Sequence, residues 1–193
     1  MNTKNNFIRE YSDINLSLED QQYIESLLRP HNSEKKLDYH DYLSIRKTFK
    51  TQFGKDLKIL GKLLELRLSG IYAFTADPNI TTLKHIDGDN TGILPWRLSF
   101  YCKGEKGILN WFSPISDLRF NSFSNTYLIN DDLEKLFSIE TNMKSAFVRT
   151  DYPHNLDLLN SDVERLTITA TFVPYISWDE LNLRLNNVEA CNK

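Results

Sequence analysis

His85-Ile86-Asp87 sets a histidine and a carboxylate two positions apart, and it is followed far downstream by Pro153-His154 and then by Arg165-Leu166-Thr167. Two imidazoles and one carboxylate are the donor set of the facial triad that holds Fe(II) and leaves other coordination positions open. Side chains alternate with a period of two along an extended segment, so one strand can offer both His85 and Asp87 to one metal while His154 comes from a distant strand. Arg165 lies 11 residues past His154 (165 − 154), the distance of a following strand. Its planar guanidinium can give a bidentate fork to a carboxylate, with the Thr167 hydroxyl beside it. The pattern points to an oxygen-reactive iron with a cationic anchor for a dicarboxylate. Each residue also has a plain reading: strand-end surface residues at His85 and Asp87, a turn histidine behind Pro153, and a surface charge pair at Glu164-Arg165.

Such residues need strands to carry them, and the second half of the chain is rich in strand signals. Leu64, Leu66 and Leu68 alternate with Glu65, Arg67 and Ser69, and Ile71 to Thr75 continues a β-rich run. Asp77-Pro78-Asn79 makes a turn, residues 81–86 are extended, and Gly88-Asp89-Asn90 closes that segment, which places His-x-Asp where a strand ends. Further strands are predicted over 94–101, 107–112, 126–129, 144–149 and 165–173. In the last of them Arg165, Thr167, Thr169 and Thr171 alternate with Leu166, Ile168, Ala170 and Phe172. The polar face of such a strand looks at water in an ordinary sandwich, or lines a ligand cavity in an open-mouthed barrel whose apolar face lies under helices.

The first third reads as helical support. Ser17-Leu18-Glu19-Asp20 resembles a capping box and opens a helix over 18–29 that Pro30 stops. Apolar residues from Tyr39 to Leu64 predict one or two helices, broken near Phe53-Gly54. A short helix is expected over 178–185, with a polar, frayed end after Asn186. Helices first and many short strands afterwards indicate a mainly β fold with flanking helices. The divisions are a helical part at 1–63, a β core at 64–173 and a C-terminal helix and tail at 174–193.

With 193 residues, 40% hydrophobic and 12% aromatic, the chain suits one compact domain spanning 1–193. A net charge of −3 argues against a nucleic-acid partner, which needs clustered cations. Cys102 and Cys191, isolated in a chain of this size, are expected as free thiols in a reducing compartment. No secretory h-region and no spanning apolar stretch are present, so a cytoplasmic, non-membrane protein is expected.

In their order and spacing the motifs resemble the Fe(II)- and 2-oxoglutarate-dependent dioxygenase superfamily, whose core is a double-stranded β-helix of jelly-roll, cupin-like form. The match covers roughly residues 70–173. It is carried by Lys84-His85-Ile86-Asp87-Gly88, by Leu98-Ser99-Phe100-Tyr101 with Asn110-Trp111-Phe112, by Thr150 through His154, and by Arg165-Leu166-Thr167. Small phage and bacterial members look most similar. The resemblance implies that His85, Asp87 and His154 hold iron and that Arg165 and Thr167 bind the distal carboxylate of 2-oxoglutarate, with O2 as the third cofactor. Ser99, where small relatives often have Asn, is implied as a further cosubstrate contact. Tyr101 and Trp111 are candidates for the substrate side, Trp111 being either a pocket wall or a core tryptophan. Asp89, Asn90, Arg97 and Arg149 are candidates for the mouth. In this family 2-oxoglutarate is oxidatively decarboxylated to succinate and an unactivated carbon is usually hydroxylated.

Two other readings compete. One is a β-helix module that binds a ligand or protein partner without turnover. The other is a cupin-type metalloenzyme in which His31 or His40 replaces the carboxylate. For the dioxygenase reading a free amino acid, a peptidyl residue or a small metabolite is the expected substrate.

Overall fold

A computed structural model of the chain describes residues 3–11, 39–89, 91–103, 107–116, 118–121, 126–129, 132–141, 144–159 and 165–191. After a 3-10 turn at Thr3–Asn6 come β1 (Ile8–Glu10), α1 (Tyr39–Leu63), β2 (Arg67–Ala76), β3 (His85–Asp89), β4 (Gly92–Ile93), β5 (Trp96–Lys103) and β6 (Ile108–Phe112). Then follow β7 (Arg119–Asn121), β8 (Thr126–Leu128), β9 (Lys135–Glu140), β10 (Ser145–Arg149), β11 (His154–Asp157), β12 (Arg165–Val173) and α2 (Trp178–Cys191). The helix expected over 18–29 lies outside the described residues.

The strands form two antiparallel sheets. One runs β1-β10-β5-β12-β2, and the other runs β7-β8-β3-β11-β6-β9 with β4 paired on β3. With the short β1, β4, β7 and β8 set aside, the chain alternates between the sheets through β2, β3, β5 and β6. It reverses at the β6–β9 pairing and alternates back through β10, β11 and β12. A ribbon doubled on itself and wound into two facing sheets is a double-stranded β-helix, a jelly roll.

The two faces of β12 explain where each layer sits. Leu166, Ile168, Ala170 and Phe172 are buried against Ile45, Phe49, Leu57 and Leu60 of α1 and Trp178, Leu181 and Leu185 of α2. Each fully buried large side chain of this kind contributes about 1.5–3 kcal/mol. The opposite, polar face of β12 therefore turns inward, and Arg165, Thr167 and Thr169 line a cavity between the sheets. A second cluster of Phe7, Ile8, Tyr101, Leu109, Trp111, Ala146 and Val148 fills the space beneath that cavity. No helix among the described residues is long and apolar enough to cross a membrane.

Several elements differ from the sequence expectation. α1 runs unbroken through Phe53-Gly54, because Ile45, Phe49, Phe53, Leu57 and Leu60 keep one buried stripe. A helical glycine costs about 1 kcal/mol, less than one such burial. The alternation of Leu64, Leu66 and Leu68 straddles two elements: Glu65 adopts φ 54°, the Leu66 N–H donates to Gly61 O at 2.7 Å, and β2 starts only at Arg67. Glu65 is thus the single left-handed residue that closes a right-handed helix. α2 continues to Cys191 instead of fraying after Asn186, because Arg9 of β1 reaches Asn186 Oδ1 at 3.0 Å and Glu189 Oε1 at 2.5 Å. β1, β4, β7 and β9 were not expected; three are only two or three residues long and draw their stability from a partner strand.

His85 opens β3 instead of closing a strand. Upstream, Thr81 makes only an isolated bridge with Asp157, whereas His85, Ile86 and Asp87 pair with Leu128, Tyr127 and Thr126 of β8. Gly88 and Asp89 continue the strand and pair with Ile93 and Gly92. A Cβ at position 88 would lie 2.5 Å from the Tyr127 ring, so any other residue here would have to displace that ring.

Candidate metal centre and its cavity

Strand register assembles the three proposed ligands. His85 and Asp87 project from one face of β3, and His154, first residue of β11, stands directly opposite His85 in the neighbouring strand. The two imidazole rings lie 4.5 Å apart, and one donor atom from each of His85, Asp87 and His154 falls within 4.8 Å of the others. His85 Nε2 is 3.7 Å from Asp87 Oδ1, and His154 Nε2 is 4.0 Å from Asp87 Oδ2.

Both histidines are held in the same way. His85 Nδ1 lies 2.8 Å from Leu83 O, and His154 Nδ1 lies 2.9 Å from Tyr152 O. A carbonyl can only accept, so each Nδ1 carries the proton and each Nε2 keeps its lone pair for a metal. Anchoring the remote ring nitrogen in this manner is the usual outer support of a metal-bound histidine. Trp111 stands across from His154 on β6, fully buried, with Nε1–H donating to Arg149 O at 2.9 Å. It packs on Phe7 and Phe137 and is absent from the cavity lining, so it supports the floor and does not touch the space a substrate would fill.

Arg165 and Thr167 face the same cavity from the first sheet, together with Ser99, Tyr101 and Thr169. Arg165 is 2% exposed. Its Nη1 donates to Thr141 Oγ1 at 2.5 Å, its Nε donates to Thr167 Oγ1 at 3.2 Å, and its guanidinium carbon sits 4.5 Å from the centre of the Tyr101 ring. Among the described residues no carboxylate pairs with it. The guanidinium approaches the chain so closely at Gly107 that a Cβ there would lie 2.7 Å from Nη1. Among the described residues the buried hydroxyls of Tyr101 and Thr169 have no hydrogen-bond partners, an arrangement that costs free energy until a ligand supplies them. Tyr101, a candidate for the substrate side, thus packs against Arg165.

Of the mouth candidates whose side chains the structure describes, Arg97 joins the cavity; it is 7% exposed and its Nε lies 2.8 Å from Asp87 Oδ2. Arg149 instead pairs with Asp151 at 2.7 Å and lies over Tyr152, outside the lining. The Asp89 side chain and Asn90 lie outside what the structure describes. Thr169, read from the period of two on the polar face of β12 with Arg165, lines the cavity. Thr141 and the rim residues Phe74 and Leu83 were missed by sequence reasoning; Thr141 follows β9 and carries no local signal.

No protein-family model matches the chain, and neither does any curated protein. Among solved structures, ycfD of E. coli shares 12% identity over 74% of this chain and 37% of its own length, with a TM-score of 0.42. The capsular polysaccharide assembling protein CapF of Staphylococcus aureus shares 14% identity over 54% of this chain and 29% of its own, with a TM-score of 0.30. The chain therefore spans well under half the length of either protein. The fold is defined by the strand order and the site by its own geometry.

Electrostatics favours ligand-ready protonation states. Burial, reinforced by His85, pushes His154 down to about 4, so its imidazole is neutral at neutral pH. Burial pushes the Asp87 carboxyl up, but Arg97, His154 and His85 outweigh it and hold the group below its ordinary value. Burial raises the Tyr101 phenol to about 12 and lowers the Arg165 guanidinium.

His154 carries a consequence for stability. The unfolded chain takes up its proton near 6.5 and the folded chain only near 4, so stability is lost as pH falls through that window. The expected loss is about 3 kcal/mol for a shift of this size. Urea midpoints measured in EDTA at pH 7.5, 5.5 and 4.5 should fall accordingly, and His154→Gln should flatten the decline. An equally steep decline in the variant would assign it to other groups.

Proposed function

We propose that the chain is an Fe(II)- and 2-oxoglutarate-dependent oxygenase that hydroxylates an unactivated C–H of an amino acid, a peptidyl residue or a small metabolite. One observation carries the reading. A single cavity of about 420 Å³ has a His-Asp-His donor set on one sheet and, on the facing sheet, a buried guanidinium with no carboxylate partner among the described residues. Two imidazoles and one carboxylate suit Fe(II) with positions left open. A guanidinium beside orphaned hydroxyls suits a distal carboxylate.

When bound, Fe(II) and 2-oxoglutarate supply the oxidation of a C–H bond by dioxygen, balanced by decarboxylation of the cosubstrate. The chain supplies the rest. His85 and His154 present Nε2 lone pairs fixed by backbone carbonyls, and Asp87 contributes the anionic ligand. Arg165, Thr167 and the Tyr101 hydroxyl hold and orient the dicarboxylate, with Ser99 and Thr169 alongside. Leu109, Val148 and Leu156 exclude water from the inner cavity, while Phe74 and Leu83, both exposed, form an apolar rim where substrate enters.

The competing cupin reading has less support: α1, which bears His40, packs on the outer face of the first sheet, and His31 lies outside the described residues. The deciding experiment adds Fe(II) and 2-oxoglutarate to the protein without oxygen. A visible charge-transfer band that is lost in Arg165→Ala is expected. Folded, metal-loaded protein without a band would transfer the assignment to a non-catalytic module or a metalloenzyme that does not use a 2-oxo acid.

A further inference from the structure

We propose that Arg97 is a positioning residue that restricts Asp87 to a single metal-binding oxygen and thereby sets how many coordination positions remain open. The inference rests on the metal centre proposed above. Arg97 belongs to β5 of the first sheet, yet its guanidinium crosses the cavity to Asp87 on β3 of the second. Both side chains are at least nine-tenths buried. The Phe74 ring, 5.3 Å from the guanidinium carbon, covers the pair from the mouth.

The contact is between charges more than an aligned hydrogen bond, since Arg97 Nε sits 2.8 Å from Oδ2 but has no hydrogen-bond partner among the described residues. A carboxylate can bind one metal ion through one oxygen or through both. Oδ2, which faces His154 Nε2 at 4.0 Å, is the oxygen held against the guanidinium, so Oδ1, 3.7 Å from His85 Nε2, is the oxygen with no arginine beside it among the described residues. Three protein donors would leave open positions on the metal for a chelating 2-oxo acid and for dioxygen, and a second oxygen from Asp87 would occupy one of them. The cation beside the ligand also opposes the charge of the metal.

Removing Arg97 should therefore move two affinities in opposite directions, which the loss of a structural contact would not do. The test compares wild type, Arg97→Met and Arg97→Lys, with Arg97→Gln as a second neutral replacement should the methionine variant fail to fold. Co(II) affinity and the Co(II) absorption spectrum report the ligand set without any cosubstrate. Anaerobic titration with Fe(II) and 2-oxoglutarate reports the open positions.

In the neutral variant Co(II) should bind as tightly as in wild type or tighter, with an altered spectrum, while 2-oxoglutarate affinity falls about 10- to 100-fold. Lysine, which keeps the charge without the fork, should lie between. Parallel loss of both affinities would make Arg97 a merely structural contact and overturn the proposal, as would an unchanged spectrum with unchanged affinities. If wild type binds Co(II) but no 2-oxo acid, the oxygenase assignment fails, and the spectral comparison still decides the role of Arg97.

Discussion

Arg165→Met is expected to give a protein that resists urea better than the wild type and no longer holds a dicarboxylate. Arg165 is buried on the cavity wall with two threonine hydroxyls and the Tyr101 ring for company. An ion drawn out of water without a counter-ion is costly, and an apolar residue of similar volume removes that cost. A gain on the order of 1 kcal/mol in urea unfolding at pH 7.5 is the expected size. The same change deletes one partner of a buried charge pair in the ligand complex, worth about 2–5 kcal/mol. The 2-oxoglutarate dissociation constant should accordingly rise about 100-fold or more. Co(II) binding should be retained, because the three donors sit on the other sheet. A less stable variant with unchanged cosubstrate affinity would show that Arg165 serves packing alone.

Asp87→Ala should fail in both respects. Loss of an anionic ligand is expected to weaken Co(II) binding by more than about 100-fold, beyond the cost of disturbing an outer support. It also strands Arg97, 7% exposed, without the carboxylate 2.8 Å away. Breaking one side of a buried pair costs about 3–5 kcal/mol. The double variant Asp87→Ala/Arg97→Met should recover most of that stability while staying unable to bind metal, a separation that a double-mutant cycle of thermal melts and calorimetric titrations can read. Metal affinity within a few-fold of wild type in Asp87→Ala would remove Asp87 from the ligand set.

The sequence makes some of this arrangement legible and hides the rest, for physical reasons. His85-x-Asp87 and the polar face of β12 are legible because the period of two is local: residues two apart share a face in any strand. The sheet to which that face turns is not local, and only the burial of Leu166, Ile168 and Phe172 under α1 and α2 points Arg165 inward. Arg97 offers no clue to its partner, because Asp87 lies on the facing sheet and the pairing depends on how closely the sheets approach. Tyr101 and Trp111 are inseparable by type, but alignment of β5 beside β12 puts one against Arg165, and alignment of β6 beside β11 puts the other beneath His154. Gly54 and Gly88 mislead in opposite settings. The first is carried through a helix by its buried neighbours, and the second continues a strand where the Gly-Asp-Asn composition predicts an end.

The short strand β1 ties the assembly of the cavity to the order in which the chain is made. Ile8 pairs with Val148, and Phe7 packs beside Trp111 in the cluster under the cavity, so one part of the floor is made about 140 residues before the strand on which it docks. A nascent chain halted before β10 has no docking edge for β1. Contacts of such long sequence separation slow folding, since the closure entropy is paid before the contacts form. The floor of the cavity therefore closes only after β10 has been made.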